Sequence, residues 1–263
     1  HFGSSSKCFA SSNSRNSMAE STKVVAIVGA SGGVGSKALE IALAQGYVVK
    51  VLVRKVEKLA KKIGTDAVEK LKSQQGASSS PHEEFILQGS VNDEEALRKL
   101  VSNASIILSC LGTPSGEKPC VAVGTANILK AMTETKSARD LVMISSICVG
   151  DSLPQGKKLA CCFANFIRPC ILGRVFADLE GAEQLCAEHE WARVVRVRPP
   201  NLSDKSGTGR YQWTTADDMQ PGAPPSIPRA DVALAMVDLC QPVAFEKLVG
   251  TAPSLFPAKK EKE

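Results

Sequence analysis

The chain has no apolar run long enough to span a bilayer, so no membrane-crossing helix is expected. Its nine cysteines include no C-x-x-C pair, and none has histidines beside it at zinc-ligand spacing. No metal site and no thioredoxin-like centre are therefore expected, and Cys161 and Cys162, though adjacent, read as core residues. Reduced thiols in an intracellular compartment, the cytoplasm, are the simplest reading. No stripe of basic and aromatic residues is concentrated anywhere, and 32 Lys+Arg against 27 Asp+Glu leave a net charge of only +5. Nucleic acid is thereby a poor partner, whereas a small anionic ligand suits the balance. There are two tyrosines in the whole chain, Tyr47 and Tyr211.

What is present is organised around Lys23 to Arg54, KVVAIVGASGGVGSKALEIALAQGYVVKVLVR. Val24 to Val28 is a short apolar, β-branched run, as expected of a strand buried on both faces of a parallel sheet. Gly29, Gly32 and Gly35 follow at G-x-x-G-x-x-G spacing. A helix pattern comes next, with Val34, Ala38, Ile41, Ala42 and Ala44 on its packed face and Gly46 as its stop. Val48 to Val53 is the second strand. Strand, glycines, helix and strand in this order predict a dinucleotide-binding unit. Gly29 allows the turn, Gly32 the approach of a pyrophosphate, and Gly35 the close packing of helix on strand. The phosphates would meet the N–H groups of Gly29, Ser31, Gly32, Gly33, Val34 and Gly35 at the positive end of the helix dipole.

The end of the second strand selects the dinucleotide. An acid there accepts from the adenosine ribose of NAD, and an arginine suits a 2′-phosphate. The residue is Arg54, followed by Lys55, so NADP(H) is the expected cofactor.

GASGGVG at Gly29 to Gly35 and VLVR at Val51 to Arg54 resemble the atypical short-chain dehydrogenase/reductases with an NAD(P)-binding, NmrA-like fold, nearest to the flavin reductase/biliverdin-IXβ reductase type. The resemblance runs from about Lys23 to Gly250. It implies a single α/β domain, a Rossmann-like doubly wound parallel sheet over residues 23–252. Before it, residues 1–22 form a Ser-rich leader whose composition leaves organelle import open. Met18-Ala19-Glu20 looks like a natural start, so the leader reads as disordered, a translated upstream fragment or a cloning remnant. After it, 253–263 form a charged tail.

Further elements are expected in order. Val56 to Leu71 is one or two lysine-rich helices closed by a Gly76 to Pro81 loop, and Glu84 to Gln88 is the third strand. Relatives usually carry Asp where Ser90 stands, near the adenine. Asp93 caps a helix to Val101, Ala104 to Cys110 is the fourth strand, and the Leu111-Gly112-Thr113 turn resembles the family's segment beside the nicotinamide ribose. Val121 to Met132 is a helix. Leu141 to Ile144 is the fifth strand and delivers Ser145 and Ser146, of which Ser145 is the candidate for orienting an acceptor carbonyl.

The standard enzymes add Tyr-x-x-x-Lys after that serine, and this chain has no such tyrosine. Asp178, Glu180 and Glu183 stand where relatives place a lysine. These absences argue against alcohol dehydrogenase or epimerase chemistry and point to planar acceptors, such as flavins or quinone-like compounds, that take a hydride with little acid catalysis. The alternative is a non-catalytic NADP(H) sensor or assembly factor acting through a protein partner.

Gly156 to Val175 is the least family-like part, with Leu159, Phe163, Phe166, Ile167, Ile171 and Leu172 at helical spacing around Pro169. It reads as core packing, a wall over the substrate, or a contact surface. Asp178 to Glu190 is a helix ended by His189 in a structural role, and Ala192 to Val197 is the sixth strand. Arg198-Pro199-Pro200-Asn201-Leu202 resembles the R-P-x-x-L turn that places Pro199 at the nicotinamide end. Gly207 to Trp213 is expected as a hairpin arm. Ile227 to Ala233 matches I-x-R-x-D-V-A, with Asp231 capping the last long helix, and Leu248 to Thr251 is expected as an edge strand.

Overall fold

The computed structural model describes residues 23–74, 84–114, 116–159, 163–214 and 226–258. The leader, the Gly76 to Pro81 loop, Cys161, Cys162 and the Lys259 to Glu263 tail lie outside the described residues.

Strands and helices alternate from the start: β1 (Val24–Val28), α1 (Gly33–Ala44), β2 (Val48–Val53), α2 (Val56–Ile63), α3 (Thr65–Ser73), β3 (Ile86–Gln88), α4 (Glu94–Val101), β4 (Ile106–Ser109), α5 (Val121–Thr135) and β5 (Asp140–Ile144). After β5 come α6 (Leu153–Leu159), a π-helical stretch over Phe163–Ile167, the single turn α7 (Arg168–Cys170), α8 (Gly173–Glu188) and β6 (Arg193–Val197). The chain closes with β7 (Asn201–Ser203), β8 (Tyr211–Thr214), β9 (Ser226–Pro228), α9 (Arg229–Asp238), α10 (Pro242–Glu246) and β10 (Ser254–Pro257).

Six strands pair in the order β3-β2-β1-β4-β5-β6 with every pairing parallel, which is the Rossmann order expected from the sequence. Parallel strands need crossovers, and the helices that supply them cover both faces. On one face α1 packs against α9 over Val25, Ile27, Val51, Leu108, Val142 and Val195. On the other α5 lies between α4 and α8 over Ala26, Val28, Ile107, Leu141, Met143 and Val194. The two sets alternate along each strand, as the period of two requires.

Charge is placed at both ends of α4. Lys50 stands in β2 only 2% exposed, and its Nζ donates to the carbonyls of Lys99 (2.6 Å) and Ser102 (3.0 Å) at the C-terminal end of α4. Asp93 caps the other end of α4 as expected, accepting from Ala96 N at 3.0 Å. Gly46 (φ +84°) ends α1, and Gly64 (φ +84°) separates α2 from α3. His189 is structural as well: it ends α8 with Nδ1–H donating to the Leu185 carbonyl at 2.8 Å.

Four expectations are corrected. Gly207 to Trp213 is not a hairpin arm, because β8 pairs antiparallel with β10, near the C-terminus. Leu248 to Gly250 are turn residues; the chain does line the free edge of β6, with Gly250 N on Val194 O at 2.9 Å, but the strand begins at Ser254. Asp231 does not cap α9 and instead accepts from Thr208 N (2.8 Å), Thr208 Oγ1 (2.9 Å) and Gly209 N (2.9 Å), pinning that loop. In the Gly156 to Val175 segment Ile167 and Ile171 are 41% and 74% exposed rather than core, while Leu172 packs inward. Among the described residues no helix is long and apolar enough to cross a membrane.

The closest backbone approach is at Gly35, where a Cβ would lie 2.2 Å from the Gly29 carbonyl oxygen. Gly35→Ala is expected to cost about 3 kcal/mol, the upper end of the range for overpacking, in urea denaturation. An unchanged midpoint would contradict this packing.

Candidate functional site

In a sheet of this order the connections from β1 and β4 leave in opposite directions, and a crevice opens between their carboxyl ends. The turn after β1 is built for close approach. Gly29 is left-handed (φ +81°), and a Cβ there would stand 2.6 Å from the Cys110 carbonyl oxygen at the end of β4. Gly32 N donates back to Gly29 O at 2.9 Å, and Gly32 is the N-cap of α1 with no side-chain cap. No acid stands in the first turn of α1. The N–H groups of Gly33, Val34 and Gly35 therefore lack helical acceptors and sit at the positive end of the dipole. Val34 is buried below them, and Ser31 is half-buried in the turn.

One cation missed in the sequence stands over this turn. A Cβ at Gly33 would lie 2.7 Å from Arg229 Cδ and 2.8 Å from its Nε, so Arg229, the first residue of α9, lies across the mouth of α1. Its Nη1 donates to Asp204 at 2.8 Å, and that carboxylate is 91% exposed. The I-x-R-x-D-V-A match contained Arg229, but no local pattern says that β9 brings it to a turn two hundred residues earlier.

At the end of β2, Arg54 is held by Glu117, with Nη1 on Oε2 at 3.0 Å and Nη2 on Oε1 at 3.4 Å. Ser90 is half-buried; its hydroxyl accepts from Asn92 N at 3.2 Å and keeps its proton to donate. Leu111 packs its side chain onto α5, where a Cβ at Gly124 would meet Cδ1 at 2.5 Å, and Gly112 beside it is exposed. Beside them the Thr113 hydroxyl is buried with no partner among the described residues.

At the ends of β5 and β6 the arrangement differs from the expectation. Ser145 is 7% exposed and its hydroxyl donates to Glu183 Oε1 at 2.6 Å. Its single proton is thus committed, and in this arrangement it has only lone pairs to offer an acceptor. Arg198 meets both oxygens of Glu183, through Nε at 2.9 Å and through Nη2, and its Nη1 reaches Asp151. The side chains of Arg198 and Glu183 are 3% and 7% exposed, so this is a buried pair that Ser145 completes. Ser146 is half-buried. Pro199 is buried, its carbonyl accepting from Ile147 N at 3.0 Å.

The remaining acids and tyrosines have structural tasks. Asp178 accepts from Val121 N (2.7 Å) and Ala122 N (3.0 Å), capping α5 from α8. Tyr211 donates to Asp238 at 2.6 Å, and burial first, then that carboxylate, push its pKa well above the usual value. Tyr47 accepts from Gln241. Burial pushes the Cys110 and Cys186 thiols up to about 12, so neither is a ready nucleophile. Among the described residues no cluster of three or more His, Cys, Asp and Glu could hold a metal ion.

Residues 29–242 match a family model described as NAD(P)H-binding, and the chain belongs to that family. The fold is shared with solved structures. A wide-type short-chain dehydrogenase/reductase from Veillonella parvula, in complex with NADP, superposes at TM-score 0.69 with 14% identity, covering 91% of this chain and 97% of that one. ChuY, an anaerobillin reductase from Escherichia coli O157:H7, gives TM-score 0.66 at 21% identity, covering 92% and 100%. A Rossmann-fold NAD(P)-binding family protein from Shigella flexneri gives 0.58 at 17%, covering 92% and 97%. No curated protein matches the chain. The family and the fold agree with the resemblance to atypical short-chain dehydrogenase/reductases carried by the glycine turn.

Removing one partner of a buried pair leaves a charge without compensation. Glu183→Ala is expected to cost about 3–5 kcal/mol in chemical denaturation, and Asp151→Ala, at the 77% exposed end of the network, at most about 1 kcal/mol. Equal losses would contradict the burial assigned to Glu183.

Proposed function

We propose that the chain is an NADPH-dependent oxidoreductase that passes a hydride to a planar acceptor such as a flavin or quinone-like compound. The observation that carries this reading is a dinucleotide cradle with uncapped N–H groups, next to strand ends that hold no tyrosine–lysine acid–base pair. The cradle fits the cofactor on three counts: a helix start with no side-chain cap and no acid in its first turn, a turn in which side chains at 29 and 35 have no room, and the orphaned Thr113 hydroxyl close by.

In this reading the N–H groups of Gly33, Val34 and Gly35 receive the pyrophosphate, with the turn of Gly29, Ser31 and Gly32 shaping the approach. Arg229 adds a positive charge from above, and Arg54 takes the 2′-phosphate. Ser90 donates toward the adenine. The backbone of Leu111 and Gly112, with Thr113 on a ribose hydroxyl and Pro199 across from them, frames the nicotinamide end. NADPH supplies the hydride when bound.

Orientation of the acceptor by Ser145 requires its hydroxyl to leave Glu183. Ser146 meets the same need without that loss, while Ser145 holds Glu183 and Arg198 so that the ends of β5 and β6 stay fixed. A flavin or quinone stacked on the nicotinamide needs little more, since alignment supplies most of the rate and solvent supplies the proton. The anaerobillin reductase among the structural neighbours places a reductase on the same scaffold.

The engagement of Ser145 with Glu183 also favours a second reading, a non-catalytic sensor that binds NADP(H) and reports its state to a protein partner. Single-turnover mixing of bound NADPH with excess flavin or quinone separates the two. Oxidation is expected for the reductase, and NADPH that stays reduced with every acceptor would favour the sensor.

Two substitutions test the cofactor assignment by calorimetry. Arg54→Glu is expected to weaken NADPH tenfold or more while leaving NADH nearly unchanged, about 1.4 kcal/mol per factor of ten. Arg229→Gln is expected to weaken both dinucleotides alike, because both carry the pyrophosphate. An unchanged NADPH to NADH ratio in the first, or a selective loss of NADPH in the second, would contradict these roles.

A further inference from the structure

Arg54 is not waiting empty for a phosphate. Both terminal nitrogens of its guanidinium are taken by the two oxygens of Glu117, and the side chains are 58% and 48% exposed. Glu117 is set there by its own turn, in which its N–H donates to Pro114 O at 3.1 Å and Gly116 adopts φ +81°. The chain just beyond is fixed: Cys120 Sγ lies 3.9 Å from Gly112 O, and Asp178 holds the N–H groups of Val121 and Ala122. The carboxylate thus reaches Arg54 from a backbone that is hydrogen-bonded at Glu117 itself and held again at Val121 and Ala122.

A fork of this kind binds a carboxylate or a phosphate in the same bidentate manner, and the two compete for it. A phosphate monoester carries about −1.5 to −2 at neutral pH against −1 for the carboxylate, so it is the stronger ligand. Once displaced, however, Glu117 remains beside a dianion, and that repulsion falls on NADPH alone. NADH presents a 2′-hydroxyl in the same place, which can donate to the carboxylate that Arg54 holds.

We infer that Glu117 is a specificity-determining residue that narrows the preference for NADPH over NADH, opposing the 2′-phosphate and accepting from the 2′-hydroxyl. The inference rests on the reading that Arg54 faces the adenosine ribose.

The test is a calorimetric comparison of the full chain with its Glu117→Gln variant, titrated with NADPH and NADH, and with adenosine 2′,5′-bisphosphate and AMP as probes of the ribose end alone. The variant is expected to bind NADPH and the bisphosphate at least threefold more tightly. NADH and AMP should bind no more tightly than before, and the NADPH gain should shrink as salt is raised. Binding of both dinucleotides with their ratio unchanged overturns this inference alone. Binding of neither, by either protein, overturns the cofactor reading and this inference with it.

Discussion

The oxygen of Gly29 occupies the place where a side chain at Gly35 would begin, 2.2 Å from that absent Cβ, and Gly29 itself is pressed against the Cys110 carbonyl of β4. Much of the architecture follows from these two approaches. They seat α1 on the sheet, bring the turn after β1 to the point where strand order reverses, and leave the first turn of α1 with no side-chain cap. The same absence of a side chain at Gly33 makes room for Arg229, so the last third of the chain contributes charge to the first.

Around that turn, the ionisable groups are used mostly to hold parts of the chain together. Asp178 caps α5, Asp231 pins the loop at Thr208, and Glu183 joins β5 to β6 through Ser145 and Arg198. Buried charge placed this way is weak evidence for net stability, but it leaves few acid or base groups with unspent capacity at the strand ends. The proposed chemistry is therefore one in which the protein positions reactants and the cofactor reacts. The ion pairs of Arg54 with Glu117 and of Arg229 with Asp204 differ from these in being open to solvent on at least one side.

The first half of the fold was legible because its signals are local. The apolar run of β1, the glycines, the stop at Gly46 and the cap at Asp93 each act within a few residues, and the alternation of strand and helix then dictates a parallel sheet. The later part was misread where partners are distant. Nothing near Tyr211 announces β10, and an acid two residues into a helix looks like a cap, although Asp231 serves a loop more than twenty residues earlier. Site residues divide the same way. The turn from Gly29 to Gly35 could be read from spacing, whereas Arg229, Glu117 and the hold of Glu183 on Ser145 arise only once separate segments meet.

The uncapped start of α1 is proposed to be a dinucleotide site. The direct measurement is a calorimetric titration of the unmodified protein with NADPH. Saturable binding at one site per chain is expected, with ADP competing for it because ADP carries the pyrophosphate. Absence of heat and of competition at millimolar nucleotide would contradict it, leaving the glycines a purely structural turn.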